Sequence, residues 1–381
     1  MKKKLLIFLS YVLTAALAAG VAFGAAWYYL PDCKLDQLRQ VIMTCHPDEQ
    51  DAVALEDAAA AAMVSAAGDR WSYYIPQSEY DAHLEGTANA YVGIGITIFQ
   101  TEDGGIEVQV VNEGGSAWEA GILVGDRILA AEGQSTEGMT VTGLRNIVRG
   151  EEGTFVEITV LRGGEEITFR VERRLVEVEV ATGVMVSENV GLVTIVNFDD
   201  RCAQETLLAI ENLLDQGAEK LIFDVRDNPG GYAHEMVAVL DYLLPEGELF
   251  RTLDYAGRES VDRSDAGCLE IPMAVMVNGN SFSAAEFFAA ALQEYEAAVV
   301  IGEQTSGKGY FQYTYELEDG SAVALSSGRY FTPQGRCLEE VGVTPDVEVV
   351  LDQDTAYALA YGQLEWTEDP QLMAALAALE G

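Results

Sequence analysis

Histidine, basic charge and paired cysteines are scarce in this chain. Only three histidines occur in 381 residues, at positions 46, 83 and 234. The five cysteines form no C-x-x-C pair, so neither residue type supplies the ligand set of a structural zinc site. No metal or cofactor is expected. Lysine and arginine total 22 against 62 acidic residues, a formal charge of −40. A surface that negative repels phosphate backbones and anionic lipid, which excludes an electrostatic DNA or RNA binder. It reads instead as a solvated surface. No long internal repeat or low-complexity linker is visible.

What the chain does have begins with "MKKK", followed by an uncharged run from Leu5 to Leu30. A run that long can cross a bilayer, and the lysines stay on the cytoplasmic side. Residues 1–30 are therefore expected to be a retained single-pass membrane anchor. Trp27, Tyr28 and Tyr29 would lie at the outer interface, with everything after Leu30 extracytoplasmic. The small residues from Ala15 to Ala26 leave a cleaved signal sequence as the alternative. In an oxidising compartment Cys33 with Cys45, and Cys268 with Cys337, are candidate disulfides, leaving Cys202 over. Five unpaired thiols is the competing expectation.

Residues 31–88 carry a helical texture. "AVALEDAAAAAMVSAAG" is alanine-rich and ends on Gly68, a suitable C-terminal stop. Between residues 89 and 174 short β-rich runs such as "YVGIGITIFQ" and "TFVEITVLR" alternate with glycine and acidic turns. Two short helical stretches, "SAWEAG" and "TVTGLRNIVRG", interrupt them. Residues 175–350 read as α/β, with apolar strands such as "KLIFDVR" and "MAVMVNG" separated by amphipathic helices. That alternation implies a parallel or mixed sheet covered on its faces. Residues 351–381 close the chain with a helical tail packing on that core. The fold class is mixed α/β and multidomain.

"GEQTSGKGYFQ", from Gly302 to Gln312, resembles a phosphate-binding loop at first sight. Such a loop needs Ser or Thr after its lysine and a helix opening there. Gly309 follows Lys308 instead, and "YFQYTYEL" alternates like a strand. Nucleotide binding loses both the magnesium ligand and the anion cradle.

Upstream, "VNGNSFSAAEFF" runs from a strand into a helix. Ser283 with Glu286 fits a capping box, which would be its structural role. The same turn also suits a nucleophile, because the free N–H groups of the first helical turn can hold an oxyanion. Ala284 is one such donor. A base is then needed. His46 and His83 read as surface residues, and His234 has little to recommend it. Lysine activates serine in known enzymes once burial lowers its pKa. Lys308 has no carboxylate within four residues in sequence, and Gln312 at i+4 offers an uncharged partner on the same side of a strand. The "NPGG" turn offers a second oxyanion donor, the N–H of Gly230 or Gly231.

Taken in order, these segments resemble the carboxyl-terminal processing (tail-specific) serine peptidase family. "GDRWSYYIPQSEY", "DVRDNPGG", "VNGNSFSAAEFF … GKGYFQ" and "YFTPQGRCLEEVGVTPDVEV" are similar to its blocks, and "YVGIGITI … IVRGEEGTFVEITVLR" looks like its PDZ domain. The chain departs from the family pattern at Ala285, often serine, and at Ser306, often aromatic or aliphatic. The resemblance implies Ser283 as nucleophile, Lys308 as general base and Gln312 as the group orienting the lysine. It implies that Val92, Gly93, Ile94, Gly95 and Ile96 cup a terminal carboxylate while the peptide adds as a strand. The implied substrates are proteins or peptides with apolar C-terminal tails. An adaptor protein and a homo-oligomer are both compatible with it. A PDZ scaffold on a catalytically dead protease fold is the alternative function.

Overall fold

The computed structural model describes residues 33–101, 103–360 and 364–380. The run Leu5–Leu30, on which the anchor expectation falls, lies outside them. Among the described residues no helix is long and apolar enough to cross a membrane.

The largest unit is built on a six-stranded sheet. Its order is Ala181–Met185, Val190–Ile195, Lys220–Asp224, Met273–Val277, Ala298–Gly302 and Val347–Glu348. The first pair is antiparallel and the remaining pairs are parallel. Parallel strands need crossover helices, which cover the sheet and bury both its faces. The central strand Met273–Val277 is accordingly buried at every position. On one face Cys202–Asp215, Ala233–Leu243 and Ala284–Glu294 pack over Phe223, Val275 and Val300. On the other, Leu372, Ala375 and Leu379 of helix Pro370–Glu380 cover Leu192, Ile222, Ala274 and Met276. A second, antiparallel sheet carries Tyr73–Ile75, Ala322–Phe331, Gly247–Asp254 and Glu259–Ser264 in that order, with Tyr310–Glu316 also paired to Ala322–Phe331.

The β-rich middle folds around its own core of Ile94, Ile106, Ile128, Leu144 and Val160. Its sheet runs Ile96–Gln100, Ile106–Val111, Arg127–Ala131, Phe155–Arg162, Glu165–Glu172, flanked by helices Ser116–Ala120 and Val141–Val148. A two-stranded ribbon, Ala90–Gly93 with Arg174–Glu177, joins it to the rest. Arg201, in a left-handed conformation at φ 73°, clasps that ribbon through the carbonyls of Asn89 and Val178.

All five cysteines are free thiols. Cys33 and Cys45 bracket one helix of 12 residues. Its rise holds them about 18 Å apart, far beyond disulfide reach. Cys202 is buried, and burial pushes its thiol up to about 12.

Candidate active site

Ser283 is the N-cap of helix Ala284–Glu294 and sits at φ 58°, ψ −125°. A non-glycine residue there is strained, and such strain persists only where the surroundings impose it. Gly230 is part of that constraint. At φ 89° it lies so close that a Cβ on it would stand 2.7 Å from the Ser283 Cβ and 2.9 Å from the Ala284 nitrogen. The glycine turn is thus pressed against the serine turn, and only glycine fits.

The capping box forms, and it does more than end a helix. Glu286 is completely buried. Its Oε2 accepts the N–H of Ser283 at 3.0 Å and of Lys308 at 2.8 Å. Its Oε1 accepts the Thr305 hydroxyl at 2.5 Å and the Gly307 N–H at 2.8 Å. One carboxylate therefore clamps the serine turn to the lysine loop. Burial raises its pKa, and the four donors oppose that shift. The sequence showed the local half of this clamp; Thr305, Gly307 and Lys308 are too distant along the chain to be foreseen.

Lys308 lies in the loop before strand Tyr310–Glu316, not on the strand itself. Its Nζ donates to Gln312 Oε1 at 2.8 Å, across a register shift between Phe311 and Gln312. The Gln312 amide in turn donates to the Trp71 carbonyl. The amine sits 5.3 Å from the Trp71 ring centre and 5.8 Å from that of Phe282. Burial lowers its pKa, while the charges of Asp69, Glu286 and Glu339 pull it back up. The acids absent from its sequence neighbourhood are thus supplied by tertiary structure, but none accepts a hydrogen bond from the amine among the described residues.

The segment Asp69–Tyr74 walls this pocket. Arg70 donates to the carbonyls of Ser306 and Gly307 at 2.9 and 3.1 Å. Trp71 Nε1 donates to Glu339 at 3.1 Å. Together the segments enclose an open cleft of about 930 Å³, in which Ser283, Lys308, Gln312, Gly230 and Gly231 all lie. The Ser283 hydroxyl has Tyr330 Oη as its polar neighbour, at 3.5 Å. Tyr330 is buried, and its phenol is pushed up to about 12.

Of the expected oxyanion donors, Gly230 is committed elsewhere, because its N–H donates to Asn228 Oδ1 at 2.8 Å. Asn228 is fully buried and tied to the Ile195 carbonyl. The N–H groups of Ala284 and Gly231 have no partner among the described residues.

The histidines divide. His46 pairs with Gln50 far from the cleft, and His234 is largely exposed, stacked on Tyr232. His83, expected on the surface, instead lines the cleft against Tyr73 and Tyr80. Its helix, Gln77–Thr87, shows no apolar stripe that would have signalled this.

In the β-rich unit, Val92 and Gly93 belong to the ribbon and Ile96 opens a strand. Between them the Ile94 carbonyl is held by Ala117 N–H at 3.0 Å, and the Gly95 carbonyl by Asn112 N–H at 2.9 Å. Gly95 has φ 75°, which only glycine takes at little cost.

Residues 189–349 match the model of peptidase family S41 and residues 107–162 that of the PDZ domain. "Carboxy-terminal processing protease CtpA" of Bacillus subtilis (strain 168) is 29% identical over 366 residues, covering 92% of this chain and 78% of that protein. A "Probable CtpA-like serine protease" of Staphylococcus aureus (strain N315) is 30% identical over 320 residues, covering 83% of this chain but 64% of that protein, less than two thirds of its length. Among solved structures, one from Bacteroides fragilis NCTC 9343 described as an S41 protease aligns over 93% of this chain and 98% of its own, at 16% identity and a TM-score of 0.55. The photosystem II D1 C-terminal processing protease aligns over 82% and 86%, at 27% identity and a TM-score of 0.48.

Proposed function

We propose that the chain, whose residues 189–349 match the model of peptidase family S41 and whose residues 107–162 match that of the PDZ domain, is a serine endopeptidase of that family working through Ser283 and Lys308. The single observation behind this reading is the environment of Lys308. Its amine is held among aromatic rings with a neutral amide as its hydrogen-bond partner. Burial there lowers its pKa, toward the unprotonated form a base requires.

In this mechanism the Ser283 hydroxyl turns from Tyr330 toward Lys308 and gives its proton to Nζ. Oγ attacks the scissile carbonyl carbon. The oxyanion is received by the N–H groups of Ala284 and Gly231. The Lys308 ammonium then protonates the leaving amine, leaving an acyl-serine. Water, deprotonated by Lys308, releases the acid. Gln312, fixed to Trp71, keeps the amine aimed without adding charge that would hold its proton. The PDZ unit captures apolar C-terminal tails at residues 92–96 and delivers them to the cleft. Leu5–Leu30 anchors the enzyme with its catalytic part outside the cytoplasm.

Wild-type protein should cleave an unstructured, apolar-tailed protein without ATP, and Ser283→Ala and Lys308→Ala should each abolish cleavage. A dead PDZ scaffold would leave substrate intact in all three.

A further inference from the structure

Asp199 is the acid of the cleft that the proposed mechanism does not use. It lines the same cavity as Ser283 and Lys308. Its backbone is packed on the glycine turn: a Cβ on Gly231 would stand 2.6 Å from the Asp199 nitrogen. The contact is fixed by Phe198 N–H to the Gly230 carbonyl and by Tyr232 N–H to the Phe198 carbonyl, both 2.7 Å. Gly230 in turn touches Ser283. Asp199 thus stands one glycine pair away from the serine, and the path between them is rigid.

Its carboxylate receives no hydrogen bond and no cation among the described residues. The charges that reach it are of its own sign, from Asp200 and Glu235. Burial raises the Tyr73 hydroxyl and the Cys202 thiol, and the Asp199 charge adds to both. The cations of the cleft are engaged elsewhere, Arg70 with two carbonyls and Lys308 with Gln312. His83 packs its ring between Tyr73 and Tyr80. Burial, then Asp200 and Glu235, raise the Asp199 pKa to about 7. An acid held at such cost in a substrate cleft lacks a counter-ion that the protein itself does not provide.

We propose that Asp199 is a specificity-determining residue whose carboxylate receives the ammonium or guanidinium of a substrate lysine or arginine beside the scissile bond, on the Gly230–Gly231 side of Ser283. This rests on the peptidase reading above. Tyr73 and Tyr232 line the same cleft and suit the methylene stem of such a side chain. The contact exists only while Asp199 is ionised, so selectivity is present above about pH 7 and fades as pH falls through it.

The test uses matched peptides carrying lysine, norleucine or glutamate at each position around the cleavage site. At pH 8.5 one position should favour lysine about tenfold in kcat/KM, the scale of a charge-assisted contact. Asp199→Asn should remove that ratio, Asp199→Lys should turn it toward glutamate at the same position, and lowering the pH to 5.5 should erase it in the wild type. A wild-type ratio near one at every position, or a lysine preference that survives Asp199→Asn, overturns the proposal. Binding of the same peptides to Ser283→Ala protein, followed by anisotropy, reads the charge contact separately from hydrolysis. Lysine-selective binding without any cleavage by the wild type would sink the peptidase reading and leave the Asp199 contact standing.

Discussion

Lys308 lies in a pocket that disfavours its charged form, and that has consequences on two axes. In the proposed mechanism activity needs the free amine, so kcat/KM should climb with pH through a value below the ordinary lysine pKa of about 10.4. Stability runs on the same shift. A depressed lysine pKa penalises the folded state wherever the amine is protonated, and the penalty disappears only above the unfolded value. Lys308→Met should therefore abolish turnover at pH 7 while leaving the melting temperature equal or higher. Gln312→Glu makes the opposite change. A carboxylate 2.8 Å from the amine would hold its proton, moving the rising limb of the pH profile upward and cutting activity at pH 7 more than tenfold. The lysine–glutamine pair was legible in the i, i+4 spacing, although a loop and a register shift bring it about instead of a regular strand. Tyr330 and His83 were not legible. Each reaches the cleft through tertiary packing that leaves no local pattern.

At the scale of elements, the site is a junction of three turns: the serine cap, the glycine turn and the lysine loop. Glu286 ties the first to the third, and its loss strands four donors in a dry interior. Glu286→Ala should destabilise the fold by about 3 kcal/mol or more in urea titrations, with activity lost alongside. Gly230 ties the second turn to the first. The strand–helix alternation and the capping box could be read from the sequence because both depend on near neighbours. That the Gly230 N–H is consumed by Asn228 could not, since Asn228 could equally have faced solvent in an ordinary turn. The division of labour between Gly230 and Gly231 emerges only from the path of the chain.

For the whole molecule, a formal charge of −40 opposes compaction. Screening shortens from about 30 Å at 0.01 M salt to about 8 Å at 0.15 M. The melting temperature should rise by several degrees across that range, and scanning calorimetry at fixed pH would show it. Asp199 contributes to this strain locally. Its raised pKa means the folded state holds a proton that the unfolded chain releases, so its cost appears as pH rises from about 4 to about 7. Asp199→Asn should be more stable than wild type at pH 8, by about 1 kcal/mol after allowance for solvent screening, and indistinguishable from it near pH 4.

Among the described residues, helix Pro370–Glu380 covers the second face of the parallel sheet. A cut anywhere in the connecting stretch before it would let that lid drift off and bare an oily plane of Leu192, Ile222, Ala274 and Met276. The serine turn, packed on the opposite face through Ala284, Ala285 and Phe287, would keep its place for a time, while Arg226, two residues before Asn228, would lose its contacts to Asp369 and Gln371. The damaged molecule would then be lost to clumping with its neighbours before it lost its chemistry.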